Sequence, residues 1–157
     1  MKPKIYIETS IPSYLTAKPS SDVRVTANRE VTLEWWEVRR SDFELYISEF
    51  VIAEISRGDP EAAKLRLEAI TDISELEATE EVRVLGKALI LEGPIPPKAE
   101  IDAYHIAIAA VNGMDYLLTW NCTHIANAVM RAKIEMVCRR YGYEPPVICT
   151  PQELMEN

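Results

Sequence analysis

The chain has 157 residues, 48% of them hydrophobic and 27% charged, a size at which one compact domain buries an ordinary core without disulfide or metal staples. Its formal net charge of −8 excludes a broadly basic, phosphate-neutralising surface, so any nucleic acid would be met by a local patch or through bound cations. No apolar run reaches the roughly eighteen residues of a membrane span, and the N-terminus enters a strand-like run with no apolar signal segment, so a single cytoplasmic domain with no membrane association is expected.

Residues 4–8 (KIYIE) form a short β-rich run, and Thr9, Ser10 and Pro12 then predict a helix start with Ser10 as its cap. Residues 22–40 carry Val23, Val31, Leu33, Trp35, Trp36 and Val38 among charges, the pattern of one long amphipathic helix. A strand over 43–48 (FELYIS) follows. A short helix over 49–56 is broken by Gly58, and Pro60 opens another helix to about residue 70. Residues 73–76 predict a weak strand and 79–91 a helix, after which GPIPP at 93–97 is a loop within the same domain.

Residues 98–112 predict a helix that is apolar nearly all round from 103 to 111 except at His105, and therefore buried, with Gly113 closing it. Residues 116–120 (YLLTW) have the continuous apolar character of a strand buried on both faces. A long helix is expected over 123–141, with Arg131, Lys133, Arg139 and Arg140 in its later turns, then a strand at 147–149 and a last helical turn. Strands alternating with helices predict a parallel sheet covered on both faces. Cys122, Cys138 and Cys149 are odd in number and lack CxxC spacing, so they read as reduced thiols without a zinc role. The acidic stretch at 75–81 (ELEATEE) reads as a solvated segment.

Four polar residues stand where an apolar neighbour is the local norm. Glu8 ends the first strand, Glu54 interrupts the run FVIAEI, Asp102 lies at the entry to the buried helix, and Asn121 directly follows YLLTW. Ligands of open parallel sheets bind outside the carboxyl ends of the strands, where Glu8 and Asn121 fall. Converging carboxylates repel one another and persist chiefly around a hard cation such as Mg²⁺ or Mn²⁺. Most of these residues and their neighbours also have a plainer use: Glu8 and Asn121 as helix caps, Glu54 as an exposed helix position, Thr119 as strand packing, and His105 and His124 as core or surface histidines; a simple helix-start role would place Asp102 before Lys98. Trp35, Trp36 and Trp120 could stack on bases, but packing is the commoner use of tryptophan.

The runs YIETSIPSYL, VIAE, EIDAYHIAIAA and DYLLTWN, in this order and at these spacings, resemble the PIN domain, the metal-dependent nuclease fold that includes the VapC toxins of toxin–antitoxin pairs. The resemblance spans essentially the whole chain. It implies a three-layer α/β/α fold around a five-stranded parallel sheet ordered 3-2-1-4-5, with Glu8, Glu54, Asp102 and Asn121 in the positions of a catalytic, metal-holding quartet. Thr9, His105, Thr119 and His124 are then candidates to orient those ligands or to contact substrate. It further implies an Mg²⁺- or Mn²⁺-dependent ribonuclease, an antitoxin partner and a homodimer. Glu8 and Asn121 stand where most members have Asp; Glu8 keeps a carboxylate on a longer arm, whereas Asn121 offers only a neutral carbonyl oxygen. The Asn121 departure favours an alternative, a catalytically degenerate domain that binds RNA or protein. An unrelated doubly wound binding protein is disfavoured by the lack of a Gly-rich phosphate loop.

Overall fold

The computed structural model describes residues 1–155. Five parallel strands, β1 (Lys4–Ile7), β2 (Glu44–Ser48), β3 (Ser74–Leu76), β4 (Tyr116–Leu118) and β5 (Val147–Cys149), form one sheet in the order β3-β2-β1-β4-β5. The central strand is β1, whose Ile5 lies beside Leu45 of β2 and Tyr116 of β4, while Leu117 lies beside Ile148 of β5. Ile5, Tyr6 and Ile7 are all fully buried, as a strand covered on both faces requires. Helices α1 (Ser10–Leu15) and α2 (Val23–Glu34) join β1 to β2, and α3 (Glu49–Ile55) and α4 (Pro60–Ala69) join β2 to β3. Helices α5 (Glu80–Leu91) and α6 (Glu100–Val111) carry the chain across to β4, and α7 (Ala128–Arg140) leads into β5. The sheet is thus built outward from β1 in both directions, and β1 and β4 flank the point where the connections diverge. In such sheets that point opens a crevice at the strands' carboxyl ends.

Helices lie on both faces of the sheet, as the strand–helix alternation predicts. Several boundaries differ from the sequence reading. Ser10 is the first residue of α1 and not its cap, and the preceding Thr9 makes no capping bond; Glu8 supplies one instead, accepting from the Ser10 backbone. The helix expected over 22–40 leaves α geometry at Trp35, where a π-helical turn (Trp35–Arg39) and a 3₁₀ turn (Arg40–Asp42) follow. The wider turn allows both adjacent tryptophans to pack on the core, Trp35 fully buried and Trp36 partly.

The last long helix begins at Ala128, not near residue 123. Asn127 caps it by accepting from Val129 and Met130, and residues 121–126 form turns in which the Asn121 carbonyl accepts from Ile125 and Ala126. Apolar Ile125 and Ala126 extend the helical pattern backward in the sequence, but they are packed from a turn. The strand β4 likewise stops at Leu118, two residues short of Trp120. Cys138 and Cys149 are buried and Cys122 is exposed, all three as free thiols.

Candidate functional site

Glu8 directly follows β1, and its backbone N–H continues the ladder by donating to the Leu118 carbonyl at 3.1 Å. Its side chain is only 4% exposed. One oxygen, Oε1, accepts from the Ser10 N–H at 3.1 Å, the Ser10 hydroxyl at 2.5 Å and the Thr119 hydroxyl at 2.6 Å. In both contacts the hydroxyl is the donor, because an ionised carboxylate oxygen only accepts. Ser10 Oγ is taken as an acceptor by the Trp120 N–H at 2.8 Å, and Thr119 Oγ1 by the Asn121 N–H at 2.9 Å, which leaves each free to donate to Glu8. Among the described residues nothing donates to Glu8 Oε2.

Glu54 reaches the same place from α3, which starts immediately after β2 with Ser48 accepting from the Phe50 N–H as its cap. Its Oε1 accepts from the Thr9 hydroxyl at 2.6 Å and meets His105 Nε2 at 2.5 Å, and again Oε2 is without a donor among the described residues. Burial by itself would raise the Glu54 carboxyl, but the His105 and Thr9 donors and the more distant Arg57 outweigh it and hold the group below the usual glutamate value. Glu8, Glu54 and His105 each bring a potential ligand atom within 4.8 Å of the others. Two carboxylates this close repel one another, and a cation between them would remove that repulsion. Carboxylate oxygens left without a donor among the described residues have the chemistry of a hard-cation site, so the residues fit a cation such as Mg²⁺ or Mn²⁺.

Asp102 lies outside this compact group. It sits in the first turn of α6, one turn before His105 on the same helix face, and its Oδ2 is 3.0 Å from His124 Nδ1. The helix begins at Glu100 after a 3₁₀ turn at Pro97–Ala99, so Asp102 also lies where the α6 dipole favours a carboxylate. Asn121 does not cap α7; its Oδ1 accepts the His124 N–H at 3.1 Å and closes the turn that carries that histidine. The quartet is therefore resolved into Glu8 with Glu54, and Asp102 linked through His124 to Asn121. Thr9 and Thr119 contact carboxylates directly. Trp120 is only half-buried and donates from its indole to Thr32 at 2.8 Å.

Tyr6 and Ser48 escaped the sequence reading, and Ser10 entered it only as a helix cap. Tyr6 is fully buried, its hydroxyl 2.7 Å from His105 Nδ1 and 2.6 Å from Ser48 Oγ. Burial pushes its phenol well above the ordinary value, against the Ser48 hydrogen bond and with the Glu8 and Glu54 charges adding to the rise. The available signal was spacing: Tyr6 and Glu8 are two apart, hence on one face of an extended chain.

No protein-family model matches the chain, and no curated protein matches it in sequence. Two solved structures share its architecture. VapC20 of Mycobacterium tuberculosis, a toxin that cleaves the sarcin–ricin loop, superposes with a TM-score of 0.54 at 14% identity, covering 76% of this chain and 92% of that one. VapBC2 from Rickettsia felis, solved bound to a DNA fragment from its promoter, superposes with a TM-score of 0.59 at 14% identity, covering 93% of this chain and 97% of that one. Identities this low compare backbones and not side chains. With its parallel sheet in the order 3-2-1-4-5 and helices on both faces, the chain has the VapC-like PIN-domain fold.

Proposed function

We propose that the chain is a metal-dependent ribonuclease that hydrolyses RNA phosphodiester bonds, acting as the toxin of a type II toxin–antitoxin pair. The observation that carries this reading is the meeting of Glu8 and Glu54 at the divergence point of a VapC-like sheet, each with one oxygen saturated by donors and the other free. A structural neighbour is itself a toxin that cleaves the sarcin–ricin loop, which supports the same class of activity. Glu8, Glu54 and Asp102 would hold Mg²⁺ or Mn²⁺, with Asn121 contributing no charge. When bound, the cation supplies an activated water and offsets charge developing on the phosphate. The chain's part is positional: Ser10 and Thr119 fix Glu8, Thr9 and His105 fix Glu54, and His124 fixes Asp102. An antitoxin protein and a second copy of the chain are the partners this reading brings with it.

The test is cleavage of single-stranded and structured RNA over a Mn²⁺ titration. Wild type should cleave and be silenced by chelator, and Asp102→Ala should lose about a hundredfold or more, exceeding the loss usual for residues that merely support a ligand. Circular dichroism should show Asp102→Ala folded. Cleavage that survives chelation, or Asp102→Ala cleaving as well as wild type, would overturn the mechanism. If only Asn121→Asp cleaves, the natural chain is a binding module.

A further inference from the structure

The group of potential ligand atoms contains a histidine nitrogen, which would invite softer metals such as Zn²⁺. The hydrogen-bond inventory around His105 argues against that role. Its ring is fully buried and held at both nitrogens, Nδ1 by the Tyr6 hydroxyl at 2.7 Å and Nε2 by Glu54 Oε1 at 2.5 Å. Two neutral tautomers are possible, and a doubly protonated ring would share the Nδ1–H of the second and its consequence at Ser48. In the first, Ser48 donates to Tyr6, Tyr6 donates to Nδ1, and Nε2–H donates to Glu54. Ser48 Oγ also accepts the Phe50 N–H at 3.2 Å, so every polar hydrogen along the chain has an acceptor. In the second, Nδ1–H donates to Tyr6 and Tyr6 donates to Ser48, freeing Nε2 for a metal. Ser48 then receives both Tyr6 and Phe50, and its own proton has no acceptor among the described residues. Ser48 is fully buried, and a buried unmet donor costs about 1–3 kcal/mol.

We infer that His105 is a positioning residue and not a metal ligand: Ser48 and Tyr6 lock it as the Nε2–H tautomer, and it holds Glu54 Oε1 so that Oε2 is the oxygen left for a cation. The tautomer lock follows from the geometry alone; its consequence for cation binding rests on the metal-site reading above. Tyr6 completes the device because it lies on the same strand face as Glu8. The two carboxylates are thereby oriented from one strand, Glu8 directly and Glu54 through the ring.

The lock is read on metal-free protein labelled with ¹⁵N-histidine, by long-range ¹H–¹⁵N correlation. The expected pattern is protonated Nε2 and bare Nδ1, unchanged when Zn²⁺ is added. An Nδ1–H tautomer, or a coordination shift at Nε2 on adding Zn²⁺, would overturn the inference. Side-chain replacement gives the second readout, by Mn²⁺ affinity. Gln at 105 retains an N–H for Glu54 and Leu does not, so His105→Gln should stay within about threefold of wild type while His105→Leu and Tyr6→Phe lose about tenfold or more. Equal losses for His105→Gln and His105→Leu, with both folded, would also overturn it. If wild type binds no Mn²⁺ yet shows the Nε2–H tautomer, the lock stands and the metal reading falls; if it binds Mn²⁺ with Nδ1–H, the reverse holds.

Discussion

Glu54 shows how a single residue can make stability depend on pH. Its carboxyl is held below the ordinary glutamate value in the fold because its donors outweigh the burial that opposes them. The unfolded chain therefore binds this proton more readily than the folded one. The stabilisation is fully present above the ordinary glutamate range, near pH 4.3, and is lost as pH falls through the depressed folded value. Denaturant melts of wild type and Glu54→Gln should differ most near neutral pH and converge in acid; a difference that stays constant with pH would show that the donors do not favour the charged form. The cysteines give a second case. Burial pushes Cys138 to about 11 and Cys149 to about 12, whereas Cys122 is exposed. At pH 8 iodoacetamide should label the native chain at Cys122 and reach the other two thiols only after denaturation, because the thiolate is the reacting form. Mass spectrometry of the peptides decides, and native labelling at Cys138 would mean that α7 opens readily.

Among the elements, the contact of α5 with α6 turns on a glycine. Gly86 is buried within α5, and a Cβ there would lie 2.2 Å from Cδ1 of the Tyr104 ring on α6. Tyr104 cannot simply swing away, since it stacks on Phe50 of α3 at 5.3 Å between ring centroids. Gly86→Ala would gain up to about 1 kcal/mol of helix propensity, but overpacking costs about 1–3 kcal/mol, so net destabilisation is expected. A lower denaturation midpoint, recovered in Gly86→Ala with Tyr104→Leu, checks it; an unchanged midpoint would mean that the ring has somewhere to go. Such contacts are absent from a sequence pattern, which reports periodicity and not distance. The strands and the helices around Glu54 and Asp102 were legible because their apolar spacing is unambiguous. The start of α7 was not, because Asn121 and Asn127 are both competent caps and only packing decides which one a helix uses. Likewise the carboxylates could be read from their odd placement, whereas the donors Tyr6 and Ser48 look like ordinary strand residues until the parallel register brings β1, β2 and α6 together.

At the scale of the whole molecule, the fold brings two of the carboxylates that make up its net charge of −8 close together, so the metal-free fold bears a repulsion that a cation would remove. Glu8→Gln separates the two effects. The amide oxygen can still accept from Ser10 and Thr119, which keeps the local hydrogen bonds, while one of the opposed charges is gone. In chelator the variant should therefore melt at or above the wild-type temperature. Adding Mn²⁺ should reverse the order. A ligand bound only by the native state at a hundred times its Kd stabilises by about 2.7 kcal/mol, which for a chain of this length raises Tm by about 5–10 °C. Wild type should show that rise and Glu8→Gln little of it, with sodium chloride at matched ionic strength moving both alike, since general screening does not distinguish them. The crossing of the two melting temperatures is the decisive feature: a merely structural Glu8 would leave the variant below wild type under every condition, and non-specific screening would shift the pair in parallel. Parallel shifts in Mn²⁺ would therefore remove Glu8 from the cation site.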